Sequence, residues 1–191
     1  MVKLTISQNP EADALLSSSP LALLIGLVLD QQITLEKAFT APLLLMQRIG
    51  EPLDAKKIAS MDPQLLEEAF SEKPALHRFP TAMAQRVQDI CEVVARDYGN
   101  DASRIWTDAR DGKELFTRIQ NLPGFGDMKA KIFVALLGKQ LAIEVPHWRE
   151  VSAPFGEPGS FRSIADIRDG ESLTKVREFK AAMKAEGKAR K

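Results

Sequence analysis

Apolar residues recur along this chain at spacings of three and four, and no segment alternates convincingly with period two. Across 81–98, Met83, Val87, Ile90 with Cys91, and Val94 line one side of an amphipathic helix that ends at Gly99 and Asn100. From about Thr34 the residues Leu35, Ala38, Phe39, Leu43 and Met46 repeat the pattern; Pro42 falls inside it and predicts a kink or a break. Residues 112–120 carry Leu115, Phe116 and Ile119. Residues 127–137 carry Ala130, Phe133, Val134 and Leu137, with Gly138 read as the stop and Asp127 as the cap. Asn9, Ser19 and Asp62 each precede a proline, which suits an N-cap followed by a first-turn proline. Asp111 and Glu114 have the spacing of a capping box. The expected fold is all-α, with helices joined by short turns.

Composition narrows the partners. The 191 residues hold 26 Lys and Arg against 26 Asp and Glu, so binding to nucleic acid needs a local patch rather than a global field. A single Cys91 leaves no disulfide framework, and with only His77 and His147 there is no metal-ligand constellation. No metal and no cofactor are expected. Residues 20–29 are apolar, but ten residues followed by Asp30 are too few to span a bilayer. With no signal-peptide pattern at the N-terminus, a soluble cytoplasmic protein is expected, without membrane contact. Glu157 to Ser160 reads as a loop, dividing a helical domain over 1–160 from a C-terminal helical segment over 161–191. That segment ends in a basic tail, which either holds DNA nonspecifically or is simply solvated.

The stretch N-L-P-G-F-G-D-M-K-A-K-I-F, 121–133, joins two of the expected helices. Its glycines suggest a tight hairpin over 112–137 that leaves main-chain N–H groups free beside a helix N-terminus, a place suited to a phosphate oxygen. Spacing alone supports an ordinary helix–turn–helix connection equally well. Lys73 to Pro80 is a basic loop stiffened by two prolines, with Arg78 placed to approach phosphate. Trp106 and Trp148 read as core residues more readily than as stacking platforms.

L-P-G-F-G at 122–126 resembles the hairpin of the helix-hairpin-helix DNA glycosylase superfamily, and L-V-L-D-Q-Q-I-T at 27–34 resembles a DNA-facing segment of its alkylpurine and oxopurine branches. The resemblance covers roughly 15–160. It implies a two-lobed helical fold whose cleft holds a flipped nucleotide of damaged duplex DNA. It also implies DNA contacts from Gln31, Gln32, Leu122, Gly124, Phe125 and Gly126, to which Lys129 in the first turn of the next helix and Arg78 on the basic loop would add charge. A monomer is expected, and association with the nucleoid if the host is bacterial.

The chain departs from that pattern in its chemistry. The family's lysine nucleophile, where present, sits two residues after the second hairpin glycine; here that residue is Met128, and Lys129 is turned about 100° further round the helix. The family's aspartate falls on Val145 or Pro146, depending on the direction of counting. Glu144 and Glu150 are the nearest carboxylates, with His147 beside them, and each also has an ordinary helix-start or solvated reading. Two functions stay open. One is a monofunctional glycosylase using a relocated acid; the other is a non-catalytic binder of lesions or distorted DNA.

Overall fold

The computed structural model describes residues 3–189 and contains only helices and turns among them. The first six helices are α1 (Pro10–Ser18), α2 (Pro20–Leu29), α3 (Leu35–Ile49), α4 (Ala55–Ser60), α5 (Pro63–Ser71) and α6 (Pro80–Asp97). There follow α7 (Arg104–Thr107), α8 (Gly112–Gln120), α9 (Asp127–Gln140), α10 (Trp148–Val151), a 3-10 turn (Ile164–Asp166) and α11 (Gly170–Ala189).

Local chemistry fixes most of the starts. The side chains of Asn9, Ser19, Thr34, Asp54, Asp62 and Asp111 each accept a first-turn backbone N–H. Such a cap contributes about 1 kcal/mol relative to alanine. The box at α8 is only half closed. Asp111 accepts from the Glu114 N–H at 2.8 Å, while Glu114 reaches back to the N–H and guanidinium of Arg110 instead of to Asp111. Pro42 does not break α3, which runs unbroken to a left-handed Gly50.

Two expectations at α9 are corrected. Gly138 does not end the helix, which continues to Gln140. A Cβ at Gly138 would lie 2.6 Å from the Trp148 ring, so the glycine is there to admit that indole. Asp127 is not the cap either: Gly126 holds that position without a side-chain bond, and Asp127 instead pairs with Lys131 at 3.0 Å.

Packing divides the helices into two lobes, as the resemblance implies. Helices α1 to α6 pack among themselves, and α7 to α11 pack among themselves with the 3-10 turn. The pivot of the first lobe is α2, buried from Leu21 through Leu29. A helix apolar on every side belongs in a core, and each fully buried Leu, Ile or Val there contributes about 1.5–3 kcal/mol. In the second lobe Trp106 meets Phe133 edge-on at 5.6 Å, so both tryptophans are core residues. Residues beyond 160 are bound into this lobe. Lys139 pairs with buried Asp166, and the Gln140 amide donates to the carbonyls of Ile164, Ala165 and Ile167.

Candidate nucleic-acid interface

The lobes touch where the α8–α9 turn meets the C-terminal end of α2. Pro123, Gly124 and Phe125 make the turn, closed by the Phe125 N–H donating to the Leu122 carbonyl at 3.1 Å. Leu122 and Phe125 turn their side chains into the core, so only their main chain is available to DNA. Gly124 has φ +84°, and a Cβ there would lie 2.8 Å from Val28 Cγ2 and 2.9 Å from Arg86 Nη1. It is therefore glycine both for its backbone and for the close approach to α2 and α6. Gly126 has no such steric reason, since nothing lies within 4 Å of the place its Cβ would take. With no capping side chain, the first N–H groups of α9 lack a side-chain partner, and they lie at the positive end of the helix dipole.

The Gln31–Gln32 turn sits against this hairpin. Val28's carbonyl accepts from Gln31 Nε2 at 2.9 Å and from Lys129 Nζ at 3.1 Å, linking α2 to α9. Gln31 is thereby folded back onto the protein. Gln32 is exposed and left-handed, φ +57°, a conformation that costs a non-glycine residue about 1–2 kcal/mol. Of the two, Gln32 is the one whose side chain makes no hydrogen bond among the described residues.

Sequence reasoning missed what holds that turn. His77 is buried; its Nδ1 accepts from the Phe79 N–H at 3.0 Å, which leaves Nε2 to donate to the Gln31 carbonyl at 2.9 Å. Burial keeps its pKa below the ordinary histidine value, so the ring is neutral. The loop over 73–79 is thus tied to the glutamine turn, and exposed Arg78 stands on it, its guanidinium 5.4 Å from the Phe79 ring centre. Nothing near His77 in the chain announces this, because its partner is 46 residues away.

Charged groups gather at the same place in a chain with no formal net charge. Half-buried Lys129 has its pKa lowered by burial, with Arg86 adding to the effect and Asp30 opposing it. Asp30, which follows α2, has its pKa raised by burial against the pull of Lys180 and Lys129. Lys180 belongs to α11, which also pairs Arg177 with Glu36 at the start of α3 and so reaches across both lobes.

The other expected site residues lie elsewhere. Glu144, His147 and Glu150 are all exposed; Glu144 stands 4.0 Å from Arg149, and His147 Nδ1 lies 3.3 Å from Glu150. The His147 carbonyl abuts Gly112, and the Gly112 N–H donates to Pro146, so this group sits at the start of α8, away from the turn. The fourteen residues of α9 separate the two ends by about 20 Å. Met128 projects into solvent, 66% exposed.

The family model described as HhH-GPD superfamily base excision DNA repair protein matches residues 25–184. The chain belongs to the HhH-GPD superfamily. The match takes in α2 from Ile25, the glutamine turn, the hairpin and most of α11, which are the parts that converge here. Membership makes this a DNA-binding protein with a glycosylase-like role in base excision repair. Comparison with curated proteins and with solved structures returned no match.

Proposed function

We propose that this HhH-GPD protein takes a damaged nucleotide out of duplex DNA and hydrolyses its glycosidic bond without covalent attachment to the sugar. The observation that supports this is the close approach of Gly124 to Val28 and Arg86, which brings the hairpin to the end of α2, where the Gln31–Gln32 turn begins. Unstacking a base costs about a few kcal/mol, least for a damaged one. A phosphate gripped by the α9 amides and a polar, uncharged side chain entering the vacated space offset that cost. The grip is made by main chain and so reads no sequence. The protein acts as a monomer on this reading, in the compartment that holds DNA.

Gly126→Val tests the grip. The substitution places a branched side chain in the open space while leaving φ at an ordinary −89°. Duplex affinity is expected to fall at least about tenfold, the scale of one charge-assisted hydrogen bond, with an unchanged circular dichroism spectrum. Unchanged affinity removes the hairpin from the function. A second reading, lesion binding without excision, is favoured by Val145 and Pro146 at the family's acid positions.

A further inference from the structure

Asp30 is the carboxylate at the C-terminal end of α2. It is half-buried, and among the described residues it accepts no hydrogen bond and forms no ion pair. Its place is electrostatically poor. It follows the C-terminus of α2, the negative end of a helix buried along its length, where a cation would be favoured. Burial adds to the cost. Lys129 and Lys180 offset part of it, from α9 and from α11. An acid held unpartnered in such surroundings is characteristic of functional sites. Its neighbours in the chain are Leu29 and Gln31, and the Val28 carbonyl just before them is held by Lys129, so Asp30 lies within the junction of hairpin and glutamine turn.

We propose that Asp30 is the catalytic carboxylate, facing the sugar of the nucleotide held between the α9 amides and Gln32. This rests on the glycosylase reading above. The C1′–N bond breaks and its electron pair leaves with the base, so positive charge develops on the sugar. Asp30 stabilises that charge. Water oxygen then bonds to C1′ and passes a proton to the Asp30 carboxylate, while solvent protonates the departed base. One water is consumed; a free base and an abasic sugar are formed. Glu144 and Glu150 stand at the other end of α9, exposed and each beside a basic group, and Asp30 alone of the three shares the hairpin's position.

Two measurements test the assignment. The first is single-turnover excision on duplexes with alkylated, oxidised and deaminated bases. On any duplex the wild type cleaves, Asp30→Asn is expected to slow the reaction by about 10²-fold or more, the scale of one lost electrostatic stabiliser. Glu144→Gln and Glu150→Gln leave it within about threefold on this assignment. Robust excision by Asp30→Asn overturns it, as does loss of excision in either glutamate variant alone.

The second measurement needs no turnover. One duplex carries a pyrrolidine in place of a deoxyribose, its protonated nitrogen imitating the cationic sugar; the other carries neutral tetrahydrofuran. The wild type is expected to prefer the pyrrolidine duplex by about tenfold or more, and Asp30→Asn to lose the preference while still binding tetrahydrofuran. No preference in the wild type, or one that survives in Asp30→Asn, overturns the proposal while leaving DNA binding intact. Failure to bind either duplex overturns the underlying functional reading as well.

Discussion

At the scale of single residues, the site depends on groups that look ordinary in the sequence. His77 is the clearest. Its two ring nitrogens bridge the Phe79 N–H and the Gln31 carbonyl, which requires the neutral ring. Its folded pKa lies below the ordinary 6.5, so between those two values the unfolded chain binds more protons than the folded one. Stability contributed by the neutral ring is therefore complete above the ordinary value and drains away as pH falls below it towards the lowered one. His77→Gln is expected to melt at a lower temperature than wild type at pH 8, with the gap narrowing as pH drops below 6.5. A gap that widens as pH drops would show that the histidine is charged in the fold, and one independent of pH would show that folding does not shift its pKa. Asp30 and His77 share one reason for being illegible: their surroundings are built from groups far along the chain, and no local spacing encodes them.

At the scale of elements, legibility follows the range of the interaction that fixes each boundary. Caps at Asn9, Ser19, Asp62 and Asp111 act within three residues, and reading them from the chain succeeds. Gly138 is misread as a stop because its role is to admit Trp148, a contact made by a later helix. The hairpin itself is legible in L-P-G-F-G, and the distinction between its glycines is not: Gly124 is demanded by Val28 and Arg86, whereas nothing around Gly126 excludes a side chain. The first turn of α9 also bears on the chemistry. It presents Met128 to solvent and turns Lys129 inward onto the Val28 carbonyl. No covalent complex is expected when borohydride is added during reaction with a damaged duplex. Trapping that disappears on Lys129→Ala, and survives changes at other lysines, would show that the inward amine leaves Val28 and attacks the sugar.

At the scale of the whole molecule, a chain with no formal net charge folds into two helical lobes that share a junction where Val28 takes hydrogen bonds from both sides. The two-lobed, all-α arrangement was legible because helical periodicity and two separated motifs agree on it. The route of α11 was not: the chain shows a basic helix, whereas Arg177 and Lys180 come to Glu36 and Asp30 of the first lobe. On the proposed function this junction extrudes a nucleotide, with Gln32 taking its place. The most direct measurement is the fluorescence of 2-aminopurine at a mispaired position of a duplex saturated with protein. A rise in fluorescence with the wild type, strongly reduced for Gln32→Gly at equal saturation, is the expected result, because emission is quenched only while the base stays stacked. A saturated wild-type complex with no rise in fluorescence would contradict it.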